Sequence, residues 1–284
     1  MTIDHHQYSI PAAGGDDLFV ATYHPAGADP AEIPTLVFSH GAGGSHLNWF
    51  HQVAEFAHDH HVVLWDHRGF GRSTNRSDLA SPRLAANDLE AVLDTVGIDQ
   101  AYVVAQSMGG WGALQYAMRC PQRVRGLVLA DTCAGLLSTE IEARLDRFIE
   151  ESAAGRATSE FLNSRAVGPM FARHNHSAAV LYHMLTAAMP SYYPTAVRDI
   201  RNTPIRGDYT TLDQVPILAI VGEHDQIFPP DVLRTELAPL PRVHFEVIPD
   251  AGHSPYFEQP KKFNDALRRF LVRASLVDTT AGTA

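Results

Sequence analysis

Short runs of apolar and β-branched residues recur along the chain, and between several of them lie longer stretches in which apolar residues keep helical spacing. Most of the short runs have the length and the continuous hydrophobicity of strands that are buried on both faces of a sheet. These runs are residues 18–23, 35–39, 61–65, 101–105, 124–130, 217–221 and 243–248. The sequence therefore predicts a sheet with a well-covered interior.

The stretches with helical spacing alternate with these runs. They are residues 47–57, 82–96, 108–119, 231–237 and 261–274. Strands that alternate with helices of this length indicate βαβ units, and such units build a mostly parallel sheet with helices on its faces.

The alternation stops between residues 139 and 212, where the apolar residues keep helical spacing in the pieces 140–151, 159–173 and 178–188. We interpret this region as a helical lid inserted into one α/β core. The predicted division is a first part of the core at 1–135, the lid at 136–213, a second part of the core at 214–274 and a flexible tail at 275–284. His5 and His6 are expected to lie in a mobile end.

Composition excludes several classes of protein. The chain of 284 residues has 22 Lys and Arg against 32 Asp and Glu, a net charge of −10, which disfavours a nucleic-acid interface. With 45% hydrophobic residues it can bury a large core. The beginning of the sequence lacks the basic flank and apolar stretch of a signal peptide, and no apolar run is long enough to span a bilayer. We therefore expect a cytoplasmic protein with no membrane partner.

A serine follows the strand-like run 101–105 and precedes a helical stretch. It is Ser107, in the sequence Ala105-Gln106-Ser107-Met108-Gly109. A sharp turn between strand and helix would raise the Ser107 hydroxyl above the sheet, and the Met108 N–H at the start of the helix would face developing negative charge. The usual pattern has glycine where this chain has alanine, and a match of this kind is weak alone.

A glycine-rich turn follows the run 35–39 and reads His40-Gly41-Ala42-Gly43-Gly44. Its backbone can direct a second N–H, that of Ala42, to the same point above the serine. Such turns also end many strands for purely structural reasons.

An acid and a histidine follow two late runs. Asp225 comes after the run 217–221, and His253 comes after the run 243–248. A serine hydroxyl needs a base to take its proton, and a histidine base needs a carboxylate that fixes its tautomer. We therefore predict a triad of Ser107, Asp225 and His253, with Met108 and Ala42 as oxyanion donors.

Other acids and histidines are weaker candidates for these roles. Asp250 lies on the same loop as His253, and Asp131 ends the run 124–130, so both stay open as substitutes for Asp225. Glu223 and His224 are expected on the surface of their loop. The histidine-rich segments 58–61 and 174–176 lack the i, i+4 pairing of a helical metal site, so we expect solvated loops, no metal and no cofactor.

The chain resembles the α/β-hydrolase superfamily over almost its whole length. The resemblance is carried by HGAGG at 40–44, DHRGFGRS at 66–73, AQSMGG at 105–110, GEHDQIFPP at 222–230 and AGHSPYFEQP at 251–260. It implies a mostly parallel eight-stranded sheet with a helical lid after the sixth strand. It also implies the same triad and oxyanion donors, and a structural role for Asp66 and Arg68.

Within that superfamily the chain looks similar to lid-containing esterases, enol-lactone hydrolases, meta-cleavage-product C–C hydrolases and cofactor-free perhydrolases. We expect hydrolysis of a small, largely apolar ester or lactone through an acyl-enzyme on Ser107, by a monomer or homodimer. The expected pocket walls are mostly aromatic. They are His46, Trp49, Phe171, Tyr182, Tyr192, Tyr193 and Phe228.

Two other functions stay open. The segment 43–49 is similar to the glycine-rich loop and Asn-Trp pair of C–C hydrolases but is shorter, and Ser254 stands where many of those enzymes carry tryptophan. C–C hydrolysis is therefore the second hypothesis. The third is a ligand receptor that keeps the triad and turns over slowly or not at all.

Overall fold

The apolar runs of the sequence lie side by side in one sheet. The structure, a computed structural model, describes residues 2–76, 78–153, 165–187 and 199–281. The strands are β1 Ile3–Ala12, β2 Asp16–Pro25, β3 Thr35–Ser39, β4 His61–Trp65, β5 Ala101–Gln106, β6 Val124–Ala130, β7 Ile217–Gly222 and β8 Val243–Ile248. Their order across the sheet is β1-β2-β4-β3-β5-β6-β7-β8.

The sheet is mostly parallel. Strands β3 to β8 run in one direction, while β2 is antiparallel to both β1 and β4. The carboxyl ends of β5, β6, β7 and β8 therefore meet at one edge, which is where open α/β sheets place their sites. The predicted runs 35–39, 61–65, 124–130 and 243–248 are confirmed to the residue.

Strand β1 is absent from the predicted set. His5 and His6 were expected in a mobile end, and that expectation was wrong, because Ile3 to Ala12 pair with β2 residue by residue. Most of β1 is exposed and only Ile10 is buried, so backbone pairing rather than an apolar face holds this strand in place.

Helices cover both faces of the sheet. They are α1 Phe50–Phe56, α2 Ala85–Val96, α3 Gly109–Arg119, α4 Thr139–Ala153, α5 Phe171–His174, α6 His176–Ala187, α7 Pro230–Glu236, α8 Pro255–Glu258 and α9 Pro260–Ala281. Helix α9 continues well past residue 274. Residues 275–281, which were predicted to begin a flexible tail, thus belong to this helix.

Two hydrophobic clusters fill the space between the sheet and these helices. The first contains residues of α2 and α3, such as Leu89 and Trp111. The second contains residues of α1 and α9, such as Phe56 and Phe263. The segment between β6 and β7 joins both clusters, because Ile141 of α4 lies in the first and other residues of the segment lie in the second.

The segment after β4 is fastened by buried charges. Arg68 forms ion pairs of 2.7 Å with both Asp16 and Asp88. Asp66 accepts the backbone N–H groups of His46 and Arg72 at 2.6 and 2.8 Å. These contacts agree with the structural role expected for Asp66 and Arg68. None of the described helices combines the length and the apolarity needed to cross a membrane.

Candidate active site

Ser107 occupies a strained turn between β5 and α3. Its φ of 50° lies in the left-handed region, which costs a non-glycine residue about 1 kcal/mol or more. The turn is held from both sides. Ser107 donates its N–H to the carbonyl of Ala130 at 3.0 Å, and its own carbonyl accepts the Thr132 hydroxyl at 2.6 Å and the Gly110 N–H at 2.9 Å. The serine is thus fixed at the carboxyl edge of the sheet.

The glycine-rich turn after β3 approaches this serine closely. A Cβ added to Gly41 would lie 2.9 Å from Cβ of Ser107 and 2.0 Å from Oε1 of Gln106. Only glycine allows the two backbones to come so near. The next residue, Ala42, therefore lies beside the serine turn.

A buried histidine orients the peptide between Gly41 and Ala42. Nε2 of His40 accepts the His67 N–H at 2.9 Å, so the proton of the neutral ring is on Nδ1, which donates to the Gly41 carbonyl at 2.8 Å. Gly44 donates its N–H to the same carbonyl at 3.1 Å. In a trans peptide the N–H points opposite to the carbonyl, so the Ala42 N–H points away from His40. Burial keeps the pKa of His40 below its ordinary value, against the Asp66 carboxylate, which acts to raise it.

Asp225 and His253 form a buried hydrogen bond at the ends of β7 and β8. The distance from His253 Nδ1 to Asp225 Oδ2 is 2.8 Å, and the two residues are 5% and 3% exposed. The other oxygen of Asp225 accepts the N–H groups of Ile227 and Phe228 at 2.8 and 3.0 Å. The carboxylate thus has one oxygen fixed by the main chain and the other directed at the imidazole. This arrangement selects the tautomer in which Nδ1 carries the proton and Nε2 is the basic nitrogen.

The residue before the serine contacts the histidine loop. Nε2 of Gln106 donates to the His253 carbonyl at 2.9 Å, and both residues are buried. The Phe228 ring lies 5.8 Å from the His253 ring. Gln106 therefore links the end of β5 to the loop after β8.

A second carboxyl group lies beside the pair. One oxygen of Asp131, one oxygen of Asp225 and a ring nitrogen of His253 all lie within 4.8 Å of one another. Oδ1 of Asp131 accepts the Gly222 N–H at 2.8 Å, and Oδ2 makes no hydrogen bond among the described residues. Burial, and then the neighbouring Asp225 carboxylate, raise the pKa of Asp131 well above its ordinary value. Asp131 thus keeps its proton to a higher pH than an ordinary aspartate does.

The other candidate acids lie elsewhere. Asp250 is exposed and pairs with Lys262 at 3.3 Å. Glu223 and His224 are exposed, as predicted, and form with Asp250 a second group of possible metal ligands. In the first group, which contains Asp225 and His253, the 2.8 Å separation is shorter than the roughly 3.3 Å between two ligands of a tetrahedral zinc ion. A hydrogen bond therefore explains that contact.

The histidine-rich segments have ordinary surroundings. His174 and His176 are exposed, as expected. His61 was expected in a solvated loop, and that was wrong: it opens β4, is buried, and lies 3.5 Å from the Thr35 hydroxyl. Burial, and then the charge of His24, lower the pKa of His61 to about 4.

The predicted pocket residues lie in several different parts of the structure. Phe228 lies beside His253. Tyr182 of α6 and Phe171 of α5 pack against Phe257, which follows His253 on α8, with ring centroids 4.9 and 6.1 Å from that of Phe257. Tyr192 and Tyr193 lie outside the described residues.

Among the described residues, His46 and Trp49 make contacts typical of the core. His46 was a predicted wall residue, but its Nδ1 lies 2.9 Å from the Asp66 carboxylate. Trp49 is fully buried among Phe38, Tyr256 and Phe263, which is a core position. A large ring near a motif has the same sequence signal whether it faces substrate or core, so the pocket role of these two residues stays a prediction.

Three polar residues near the site were missed by sequence reasoning. They are Gln106, Thr132 and Glu258. All three are buried, and each bonds to the main chain of Ser107 or to that of the loop around His253. Gln106 and Thr132 each lie one residue from a position that the sequence had singled out, and this proximity was the available signal. Glu258 lies within the motif AGHSPYFEQP at 251–260, but nothing in the motif assigned it a role.

Known proteins resemble this chain in sequence over most of its length. The model of a protein family described as the alpha/beta hydrolase fold matches residues 34–260. The chain is 29% identical over 290 residues to a 2-hydroxy-6-oxononadienedioate/2-hydroxy-6-oxononatrienedioate hydrolase of Paraburkholderia phymatum, with 91% of this chain and 92% of the relative covered.

Two solved structures illustrate the similarity in three dimensions. A thermophilic esterase from Thermogutta terrifontis matches with a TM-score of 0.77 and 26% identity, over 95% of this chain and 99% of the other. An enol-lactonase from Burkholderia xenovorans matches with a TM-score of 0.80 and 20% identity, over 94% of this chain and 100% of the other. At that identity the second match shows the fold alone.

Proposed function

The chain belongs to the alpha/beta hydrolase fold family, and from this we propose that it is a serine hydrolase that cleaves a small, largely apolar carboxylic ester or lactone. The observation that carries the proposal is the buried hydrogen bond of 2.8 Å between His253 Nδ1 and Asp225 Oδ2, at the same sheet edge as the strained Ser107 turn. A base with its tautomer fixed beside a presented hydroxyl is the requirement for nucleophilic catalysis by serine.

The first half of the reaction acylates the serine. Ser107 Oγ attacks the carbonyl carbon of the substrate while His253 Nε2 takes the hydroxyl proton. The N–H groups of Ala42 and Met108 stabilise the oxyanion of the tetrahedral intermediate. The orientation of the Gly41 carbonyl toward His40 supports the Ala42 role, and the position of Met108 directly before α3 supports the other, because the first N–H groups of a helix have no partner within it. His253 then protonates the leaving alkoxide.

The second half releases the acid. Water attacks the acyl carbonyl as His253 accepts its proton, and collapse of the second tetrahedral intermediate returns the proton to Ser107 Oγ. For an ester the alcohol has already left. For a lactone the alcohol stays attached to the acyl chain, so one hydroxy acid is released. Asp225 stays ionised and stabilises the imidazolium in both halves.

The surroundings of His253 favour an apolar substrate. The Phe228 ring lies beside the imidazole, and Phe171 and Tyr182 pack against Phe257 on the same loop. Aromatic walls with few charges bind apolar acyl groups. The similarity to the Thermogutta terrifontis esterase, at 26% identity, supports an ester substrate.

Hydrolysis of a carbon–carbon bond is the second candidate, because the Paraburkholderia phymatum relative that covers 91% of this chain is named as such a dienedioate hydrolase. In that reaction the leaving group is a carbon atom that must be protonated. A vinylogous diketone substrate and a panel of p-nitrophenyl esters separate the two functions. We expect kcat/KM for the best ester to exceed that for the diketone, and the reverse order would favour C–C hydrolysis.

Labelling with a fluorophosphonate tests the nucleophile directly. We expect one adduct, on the peptide that contains Ser107, and esterase activity that disappears with labelling. Ser107→Ala should abolish both the adduct and turnover, leaving about 10³- to 10⁴-fold of catalysis over water from binding and the oxyanion donors. Ser9→Ala, at an exposed position of β1, is the control and should behave as wild type. An unlabelled, inactive but folded wild-type protein would favour the receptor hypothesis.

A further inference from the structure

A buried glutamate joins two parts of the chain near His253. Oε1 of Glu258 accepts the N–H groups of Gly252 and Ser254 at 2.9 and 3.2 Å, so it holds the main chain on both sides of His253. Its Oε2 accepts the N–H of Gly168 at 2.6 Å. Gly168 belongs to the segment between β6 and β7. One carboxylate thus bonds to both the histidine loop and this segment.

The two backbones meet at this point without side chains between them. A Cβ added to Gly252 would lie 2.3 Å from the nitrogen of Gly168 and 2.6 Å from the carbonyl carbon of Val167. Any side chain at residue 252 would therefore push the segment away from the loop. The Glu258 hydrogen bonds require this close approach.

A second contact joins the same two parts of the chain. The hydroxyl of Tyr182, on α6, lies 2.9 Å from Oγ of Ser254, and both residues are buried. This contact is a neutral hydrogen bond, whereas the bonds to an ionised Glu258 are charge-assisted and about twice as strong. Glu258 is therefore the stronger of the two attachments.

We propose that Glu258 is a positioning residue for the reaction, because its carboxylate fastens the segment between β6 and β7 to the main chain around His253 and so fixes the place of the imidazole. The proposal rests on the proposed function for the role of His253. It assigns a task to a buried acid that the triad does not use. The imidazole already has its ring plane set by Asp225, and Glu258 sets the backbone from which that ring extends.

The charge of Glu258 is sensitive to pH in a useful range. Burial raises its pKa to about 7, against the three backbone N–H groups, which act to lower it. The other titratable groups that act on it come from the surrounding elements. Asp225 raises the pKa of Glu258, and Glu258 in turn raises the pKa values of Asp131 and Tyr182.

Protonation of Glu258 changes one particular bond. Oε1 already accepts two hydrogen bonds, so the proton goes to Oε2, which accepts only one. An O–H beside the Gly168 N–H loses the charge assistance of that bond. The raised pKa of about 7 shows that the cost of burying the charge exceeds the gain from this bond, so the attachment weakens as the pH rises through about 7.

Hydrogen exchange of the backbone amides tests this without reference to activity. Glu258→Gln keeps the shape of the side chain but places an NH2 or a neutral carbonyl before Gly168. We expect protection of the amides in peptides covering 165–171 and 251–255 to fall about tenfold in Glu258→Gln at pH 8. In wild type, protection corrected for chemical exchange should fall between pH 6 and pH 8, because the raised pKa of Glu258 means that the attached state binds the proton more tightly than the opened state. That series needs no variant and stands if Glu258→Gln does not fold.

Glu236, on α7, is a matched control because it binds the main chain at the start of the same segment. Glu236 is also buried and accepts the Ser138 N–H at 2.9 Å, but it makes no contact with the histidine loop among the described residues. Glu236→Gln should leave exchange at 165–171 and 251–255 unchanged. This comparison separates the role of Glu258 from the general effect of neutralising a buried glutamate.

Ester hydrolysis supplies the second measurement. We expect kcat of Glu258→Gln to be about tenfold lower at pH 8 with KM changed less, because a displaced base affects the chemical step. In wild type, the pH profile of log kcat/KM should have a step near pH 7, where Glu258 changes its charge. This step should be absent from Glu258→Gln, and Glu236→Gln should follow wild type.

Unchanged exchange in Glu258→Gln, or parallel pH profiles for that variant and wild type, would overturn the proposal. Absence of ester turnover in wild type at every pH would instead contradict the proposed function. The exchange measurement would still decide the role of Glu258 in that case.

Discussion

At the scale of single residues, the site shows how surroundings give two aspartates different states. Asp225 has one oxygen bound by two backbone N–H groups and the other by the His253 ring. Asp131 has a single backbone N–H and a carboxylate as neighbour. The carboxylate neighbour and the smaller number of donors both act to raise the pKa of Asp131 above its ordinary value.

This difference predicts opposite results for the same substitution at the two positions. Asp225→Asn should lower kcat about 10⁴-fold, because an amide cannot select the tautomer or stabilise the imidazolium. Asp131→Asn should change kcat less than about threefold, because an amide resembles a protonated carboxyl group in shape and in hydrogen bonding. Steady-state kinetics on one p-nitrophenyl ester at pH 8 measures both. A loss at residue 131 as large as that at 225 would mean that Asp131 is an ionised acid of the triad.

The triad candidates could be found from sequence because each lies in the turn or loop that follows a strand. Asp131 also follows a strand, but its pairing with Asp225 depends on the register between β6 and β7, which a sequence does not state. Glu258 was missed because its contacts, too, depend on the folded arrangement of the chain. Its three partners are backbone N–H groups, one of them distant in sequence, and a backbone group leaves no mark on residue type.

At the scale of elements, the buried strands were predictable and the exposed one was not. Strands β3 and β4 are buried on both faces, so their residue types are continuously apolar. Strand β1 lies at the edge of the sheet, reads IDHHQYSIPA, and is exposed over most of its length. Its pairing with β2 comes from a tight connection through residues 13–15, so hydrophobic patterning carried no signal for it.

The ion triplet that joins three elements gives a prediction about stability. Arg68 follows β4 and pairs with Asp16 of β2 and Asp88 of α2, all three of them buried. Arg68→Met should lower the free energy of unfolding by about 3–5 kcal/mol, because two buried carboxylates lose their cation. Arg83→Met is the control, since Arg83 is exposed and lies 3.3 Å from Asp199.

Urea unfolding followed by circular dichroism measures both variants. The control should change by less than about 1 kcal/mol. Equal losses in the two variants would contradict a special role for the triplet. A small loss in Arg68→Met would mean that the two aspartates become protonated at little cost.

At the scale of the whole molecule, buried titratable groups act on stability in two directions. Burial lowers the pKa values of His40, His61 and His67, so the folded chain binds fewer protons than the unfolded chain below about pH 6.5. Burial raises the pKa values of Asp131 and Glu258, so there the folded chain binds more. The histidines make stability rise with pH, and the two acids make it fall.

These signs predict a maximum of stability near pH 6.5. Burial also lowers the pKa of His51, so below pH 6.5 four rising contributions exceed two falling ones, each of about 1.4 kcal/mol per pH unit where it acts. Above pH 6.5 only the acids change. Midpoints of urea unfolding between pH 5 and 8.5 should show the maximum. The double variant Asp131→Asn with Glu258→Gln should lose the decline above pH 6.5. A wild-type midpoint that keeps rising to pH 8.5 would contradict the raised pKa values of Asp131 and Glu258.

The close approach of Gly168 to Gly252 has a consequence for redesign of the protein. On its side of this contact, the segment between β6 and β7 offers only main chain to Glu258. Every residue has such a main chain, so the attachment places almost no demand on the sequence of the segment. A segment of different length and composition can be grafted between β6 and β7 if it brings one small residue to this point. The residues of the segment that surround the substrate can then be changed while the position of the His253 imidazole is kept.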